Sequence, residues 1–147
     1  MEPEEISWIS RVFRKIDMFS TLSMSEAAEL IDHMNKYHFK PGESIIKQGD
    51  KGDAFYILYK GKAKAMLKKG FFAKPVELGV IAPEQFFGEM ALISDEPRTA
   101  SVIADEETDC FILFKGEFQH IMSKNPTFEK MIKNLLEKRN FENKRVK

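Results

Sequence analysis

The sequence is poor in cysteine and in long apolar runs. Cys110 is the single cysteine among 147 residues, so the chain can form neither an internal disulfide nor a multi-cysteine metal site. No apolar run approaches the roughly 18 to 20 residues that cross a bilayer, and the acidic start Met1–Glu5 lacks a signal peptide's basic region. We therefore expect a cytoplasmic protein with no membrane segment.

The chain also lacks a net charge. Lys plus Arg and Asp plus Glu each number 23, so the bulk field favours neither nucleic acid nor an anionic membrane, and any anion must be held locally. Five Lys or Arg residues lie between 138 and 147, but only Phe141 interleaves with them. Because stacking aromatic rings accompany the charges of single-strand binding sites, we expect a solvated helix end there and no nucleic-acid partner.

What is present is a mainly β pattern with flanking helices. We expect a single domain over 1–147, with N-terminal helices in 1–36, a β core in 37–114 and C-terminal helices in 115–147. Gly and Pro cut the β core into short strand-like runs, and Ser23 with Glu26 forms a capping box for the second helix, which should end near Asn35. The first helix should run from Glu4 to about Phe19. The helical stripes are Ile6, Ile9, Val12, Phe13 and Ile16; Ala27, Leu30, Ile31 and Met34; and Phe128, Met131, Ile132, Leu135 and Leu136.

The stretch Phe86–Val102 carries the chemistry. Gly88 followed by Glu-Met-Ala-Leu indicates a strand that turns into one helical turn, whose free N–H groups attract anions. Arg98 adds a guanidinium, which matches two phosphate oxygens at once. The carboxylate of Glu89 suits a sugar hydroxyl instead. The small residues Gly88, Ala91 and Ala100 would let the backbone approach such a ligand closely.

This stretch resembles the phosphate-binding cassette of the cyclic-nucleotide-binding domain family. The matching elements are Phe87-Gly88-Glu89, Ala91-Leu92 and Pro97-Arg98-x-Ala100; Pro41-Gly42-Glu43, Gln48-Gly49-Asp50, Phe55-Tyr56-Ile57 and Lys60-Gly61 resemble the family's early strands and turns. The similarity covers nearly the whole chain. One departure is the turn Ala82-Pro83-Glu84-Gln85, where relatives usually carry Pro-Gly-Asp or a similar sequence. The turn geometry is therefore open.

The resemblance implies an eight-stranded jelly-roll β-barrel with N-terminal helices and two C-terminal helices, the last of which closes over the ligand. It implies that Glu89 binds the ribose 2′-hydroxyl, that Arg98 binds the cyclic phosphate, and that the N–H groups of two alanines bind further phosphate oxygens. Those alanines are Ala91 and Ala100. The resemblance also implies that Gly88 and Met90 line the ribose and that the barrel wall faces the nucleotide through Ala65, Leu78 and Gly79. The lid over the base would consist of Arg139, Asn140 and Asn143.

The function implied is a sensor of cAMP, or alternatively cGMP, that moves its C-terminal helix and signals to a protein partner. Thr99 does not decide between the two bases. It fits either an ordinary β-branched residue of a strand or a residue whose hydroxyl contacts guanine. Homodimerisation through the last helix stays open, and the chain is either complete, as Met1 slightly favours, or a fragment of a longer regulator. The competing hypothesis is a ligand-free interaction module in which Glu89 and Arg98 form a structural salt bridge.

An enzyme is the remaining alternative, since jelly rolls also include the cupin metalloenzymes. His33, His38 and His120 lie on separate elements with no paired His-x-His motif. No Ser-His-Asp set is visible, and the apolar surroundings of Cys110 indicate a small buried hydrophobe. We therefore expect no catalysis, no metal and no cofactor beyond the nucleotide ligand.

Overall fold

The computed structural model describes residues 1–20, 22–134 and 137. The chain divides into two compact units: a helical unit of Met1–His33 with the chain from Gly116 onward, and a β unit of Met34–Lys115. In the described ranges, no helix is both long and apolar enough to cross a membrane.

The helical unit begins with three helices. They are α1 (Pro3–Phe13), α2 (Asp17–Ser20) and α3 (Met24–Asp32). The single helix predicted from Glu4 to Phe19 is interrupted, because the N–H groups of Lys15 and Ile16 bond three residues back and end α1 in a tight turn. The capping box is confirmed: Ser23 Oγ accepts from Glu26 N at 3.2 Å, and Glu26 Oε1 accepts from Ser23 N at 2.9 Å. The predicted end near Asn35 is wrong, since α3 stops at Asp32 and residue 35 begins a strand.

The later part of the chain contributes α4 (Lys115–Ser123) and a helix that is described from 126 to 134. Asn125 Oδ1 caps this helix by accepting from Phe128 N at 3.0 Å. Phe19, Phe118 and Phe128 pack edge to face in the core of the unit. The predicted stripes are largely buried, although Ile6 is 43% exposed. Leu135 and Leu136 lie outside the described residues.

The β unit contains eight strands in two antiparallel sheets. The strands are β1 (Asn35–Phe39), β2 (Ser44–Ile46), β3 (Ala54–Lys60), β4 (Ala63–Leu67), β5 (Val76–Ile81), β6 (Phe86–Phe87), β7 (Ser101–Ala104) and β8 (Thr108–Phe114). The sheet orders are β1-β8-β3-β6 and β2-β7-β4-β5. The mainly β fold is thus confirmed, but neither sheet closes into a barrel within the described residues, so the structure is two facing sheets.

The core of the β unit lies between these sheets. Ile46, Ala63 and Val102 from one sheet cluster with Tyr56 and Cys110 from the other. Burial raises the pKa of the Cys110 thiol to about 12, so this cysteine is an inert hydrophobe in the folded protein.

The turn that departs from the family pattern joins β5 to β6. Glu84 has φ = 75°, in the left-handed region that favours glycine. Gln85 N donates to Ala82 O at 3.0 Å, and Pro83 precedes the left-handed residue, which is the pattern of a type II turn. The turn therefore keeps a glycine-like backbone without the glycine.

This strain makes Glu84→Gly a stabilising substitution. We expect the free energy of unfolding to rise by about 0.5 to 1 kcal/mol, because relief of the left-handed strain exceeds the entropy that glycine adds to the unfolded chain. Urea unfolding measures it. Glu84→Ala is the control, since it removes the same carboxylate and keeps the strain. Equal stability of the two variants would contradict the strain account.

Candidate functional site

A cavity of about 330 Å³ lies in the β unit. Its lining comes mostly from the segment between β5 and β7, namely Phe87–Ala91 and Glu96–Ala100, together with Ile46, Ser94 and Val102. The volume is at the lower end of the range for small-molecule sites, roughly 300 to 1,000 Å³. The cavity therefore suits one compact ligand.

The first wall of the cavity is a tight turn. Gly88 has φ = 81° and leads from β6 into a 3₁₀ helix, Glu89–Leu92. Ala91 and Leu92 are buried and fix this helix against the sheet. Ala91 N donates to Gly88 O at 3.1 Å, so the amide predicted for a phosphate oxygen has an internal partner in this structure.

Arg98 lines the cavity next to this turn. Its guanidinium is half-buried, donates from Nη2 to Ala54 O at 2.7 Å, and lies 5.9 Å from the centre of the Tyr56 ring. Its backbone is held on both sides, because Arg98 N donates to Asp50 O at 2.7 Å and Gly49 N donates to Arg98 O at 2.8 Å. In the described part of the chain, no carboxylate lies within ion-pair distance of this guanidinium. The structural salt bridge with Glu89, which belongs to the competing hypothesis, is therefore not what holds Arg98.

Two glycines leave room for the guanidinium. A Cβ atom on Gly88 would lie 2.7 Å from Arg98 Nη1 and 3.1 Å from Ala54 O. A Cβ atom on Gly52 would lie 2.7 Å from Ala91 Cβ and 3.4 Å from Arg98 Cζ. Any larger residue at either position would have to displace the charged group or the 3₁₀ helix.

Tyr56 supports the site from β3. Its ring stacks on Phe87, with the ring centres 5.0 Å apart and the planes nearly parallel. Burial raises the pKa of Tyr56, and the nearby charge of Arg98 opposes this only in part. The phenol is therefore neutral at physiological pH and offers Arg98 an aromatic face.

The loop after the 3₁₀ helix is anchored to the end of β8. Lys115 Nζ donates to Ser94 O at 3.0 Å and to Asp95 Oδ1 at 2.5 Å, and Lys115 N donates to Asp53 O at 2.8 Å. The ammonium lowers the pKa of Asp95. The cavity wall is thus tied to the residue at which α4 begins.

Seven of the predicted site residues line the cavity: Gly88, Glu89, Met90, Ala91, Arg98, Thr99 and Ala100. The structure places Ala65 on β4 and Leu78 and Gly79 on β5, outside the lining, with Leu78 56% exposed. The predicted lid residues Arg139, Asn140 and Asn143 lie outside the described residues.

Six lining residues were not predicted. Five of them lie within Phe86–Val102, the stretch that the sequence analysis had singled out, so they could have been named as neighbours of the predicted residues. Ile46 is different, because it reaches the cavity only through the pairing of β2 with β7, where it is opposite Val102. The six are Ile46, Phe87, Ser94, Glu96, Pro97 and Val102.

The histidines do not form a metal site in the described part of the chain, where no group of three His, Cys, Asp or Glu residues could hold a metal ion. His38 instead bonds across the β1–β8 pair, with Nδ1 2.7 Å from Asp109 Oδ1 and Nε2 against Glu107. These bonds raise the pKa of His38. Its position is explained by strand pairing.

Comparison with known proteins gives one family. The model of the cyclic nucleotide-binding domain matches residues 36–125. The chain is 32% identical over 121 residues to a cGMP-dependent protein kinase of Eimeria tenella, covering 78% of this chain and 12% of that protein. It is 36% identical over 108 residues to a cAMP-dependent protein kinase regulatory subunit of Pyricularia oryzae, covering 74% and 27%. The chain thus spans under a third of the length of these relatives.

A solved structure agrees in fold. The N-terminal domain of a transcriptional regulator from Streptomyces coelicolor A3(2) superposes with a TM-score of 0.78 at 25% identity, covering 92% of this chain and 94% of that one. The family model extends over more than half of the sequence and includes all of Phe86–Val102. The chain belongs to the cyclic nucleotide-binding domain family.

Proposed function

We propose that this chain binds cAMP in the cavity beside Arg98 and acts as a non-catalytic sensor. The observation that carries the proposal is the half-buried guanidinium of Arg98 on the cavity wall. One of its five N–H donors bonds to Ala54 O, a neutral carbonyl. A partly desolvated cation without a carboxylate partner is costly unless an anion approaches it. A cyclic phosphate supplies that anion.

The remaining roles follow from the lining. Glu89 accepts a hydrogen bond from the ribose 2′-hydroxyl, and Gly88 and Met90 border the sugar. Ala100 N is the better second phosphate donor, because Ala91 N already donates to Gly88 O. Thr99 is exposed at the rim, where it can contact either purine. Ala65, Leu78, Gly79 and the lid residues Arg139, Asn140 and Asn143 remain proposed base contacts on the family resemblance alone.

Titration with cAMP and cGMP tests the proposal. We expect a dissociation constant in the micromolar range or below, and at a hundredfold excess over it the folded state gains about 2.7 kcal/mol, visible as a rise in melting temperature. Adenosine 5′-monophosphate is the control ligand, since it lacks the cyclic phosphate. Absence of both heat and thermal shift with either cyclic nucleotide would leave the ligand-free interaction module as the function. A larger shift with cGMP would reverse the choice of base.

Gly88→Ala tests the geometry around Arg98. The new methyl group would press on the guanidinium and on Ala54 O, so we expect the affinity for cAMP to fall at least tenfold, on the order of 1.4 kcal/mol. Gly42→Ala is the matched control. Gly42 has a similar φ of 88° but nothing within 4 Å of an added Cβ, so it should lose stability and keep affinity. Equal affinities in calorimetry would contradict this role of Gly88.

We further propose that binding moves the C-terminal helix and thereby signals to a protein partner. The bonds from Lys115 to Ser94 O and Asp95 support this, because the chain passes from Lys115 directly into α4. Hydrogen exchange with and without cAMP measures the effect. Changed exchange in the helix described from 126 to 134 supports the movement, and unchanged exchange there under saturating cAMP removes it.

A further inference from the structure

The hairpin between β4 and β5 ends in two exposed aromatic rings. Ala73 N donates to Gly70 O at 3.1 Å, so Phe71 and Phe72 occupy the two central positions of a β-turn. Phe71 is 86% exposed and Phe72 is 97% exposed, and their rings meet edge to face with centres 5.3 Å apart. Such positions favour Gly, Asn, Asp and Pro, so neither turn chemistry nor packing accounts for two phenylalanines here.

The same segment concentrates positive charge. From 60 to 76 the sequence contains six lysines and no acidic residue, although the whole chain has zero net charge. Lys62 and Lys64 pair with Asp105, which lies in the bend between β7 and β8. Lys68, Lys69 and Lys74 flank the phenylalanines and make no ion pair within the described ranges. The tip therefore carries three uncompensated charges next to two apolar rings.

The hairpin is held firmly at its base. Gln48 accepts from Lys68 N at 2.9 Å and donates to Lys68 O at 2.9 Å. Beyond the tip, the apolar surface continues along one face of β5 through Val76, Leu78 and Val80, which are all exposed. A fixed stem thus presents an apolar tip surrounded by cations.

We propose that residues 68–74, the Phe-Lys loop, dock the β unit on an anionic lipid surface. Phe71 and Phe72 enter the interfacial region, where apolar side chains leave water. Lys68, Lys69 and Lys74 remain at the level of the headgroups and are attracted by their negative surface potential. The zero net charge predicted no membrane partner, and the local cluster of charge is what changes that expectation.

A lipid surface fits this loop better than nucleic acid does. Single strands bind in charged grooves where bases stack on the faces of aromatic rings. Phe71 and Phe72 instead stand edge to face on a protruding turn. The docking surface also does not include the cavity beside Arg98, so membrane binding and nucleotide binding can succeed or fail separately.

Vesicle sedimentation tests the proposal with the full chain. The probes are vesicles of phosphatidylcholine alone and vesicles with about one third phosphatidylserine. We expect binding to the anionic vesicles that weakens with salt. The double substitution Phe71→Ser/Phe72→Ser should reduce the partition coefficient at least tenfold. Lys68→Gln/Lys69→Gln/Lys74→Gln should reduce the partition coefficient by roughly a hundredfold, since each of the three lysines near the surface contributes roughly fivefold.

The control is Met24→Ser, which removes another highly exposed apolar side chain, on α3, and should leave the partition coefficient unchanged. Equal binding by wild type and the Phe71→Ser/Phe72→Ser variant would overturn the proposal, as would equal binding to both vesicle types. Sedimentation without lipid adds a second arm: self-association that is lost with Phe71 and Phe72 would assign the surface to a second copy of the chain. Binding to a single-stranded oligonucleotide in place of vesicles would also contradict docking on a lipid surface.

Discussion

Replacement of Arg98 by alanine should lower the affinity for cAMP by about 3 to 5 kcal/mol, because the cyclic phosphate would remain desolvated in the cavity without its cation. Arg98→Lys should recover only part of the loss. A lysine retains the charge but cannot present two parallel N–H groups to two phosphate oxygens. Isothermal titration calorimetry on both variants gives the difference directly.

Two controls separate binding from folding in this experiment. Arg98 also donates to Ala54 O and packs over Tyr56, so urea unfolding of the unliganded variant must show that it is folded during the titration. Lys51→Ala removes a neighbouring exposed cation, which bridges to Pro97 by its backbone but does not line the cavity. Its affinity should match the wild type. If Arg98→Ala loses no more affinity than Lys51→Ala, the anion is held elsewhere.

Replacement of Gly61 by alanine should produce the largest loss of stability, about 3 to 5 kcal/mol, from left-handed strain and from displacement of neighbouring backbone. Gly61 connects β3 to β4 with φ = 99°. A Cβ atom there would collide with Glu107 O and lie 2.6 Å from Thr108 Oγ1 and 2.8 Å from Thr108 Cα. The collision involves main chain, which cannot rotate away as a side chain can.

The loss should also include the bonds of Thr108. Its buried hydroxyl donates toward Lys62 O and Glu106 O and accepts from Lys62 N, so a shift of the loop disturbs all three. Gly49→Ala is the control, since its φ of 89° imposes similar strain but nothing lies within 4 Å of the added methyl group. It should cost about 1 kcal/mol. If urea unfolding shows equal losses of stability for the two variants, the main chain around Gly61 must move aside for the methyl group without cost.

The cavity could be predicted from the sequence because most of its lining is contiguous. Gly88, Glu89 and Arg98 lie within eleven residues, and their residue types are those that a turn, the proposed sugar contact and the proposed phosphate contact require. Ile46 could not be predicted in this way. It reaches the cavity through the pairing of β2 with β7, and such pairing depends on contacts between residues more than fifty positions apart.

The fold, like the cavity, could be predicted only where local sequence determines it. Gly and Pro punctuation predicted short strands, but it could not show that they form two separate sheets, because closure depends on which edge strands meet. The positions Ala65, Leu78 and Gly79 rest on the family resemblance, and the sequence alone could not show the bulge between Ala65 and Met66 that shifts the pairing of β4 with β5 beside them. At Glu84 the missing glycine left the turn geometry open, and the structure keeps the left-handed residue and accepts the strain.

The buried cysteine gives the protein a chemical reporter of its own. With a pKa of about 12, the buried Cys110 thiol is ionised in only roughly one molecule in a hundred thousand at neutral pH. An alkylating reagent therefore modifies Cys110 only when β8 separates from β1 and β3, and the rate of modification reads the free energy of that opening. A cysteine introduced at an exposed position, such as 72 or 99, would for the same reason be the one rapidly labelled thiol. Fluorophores can then be attached without first removing the native cysteine.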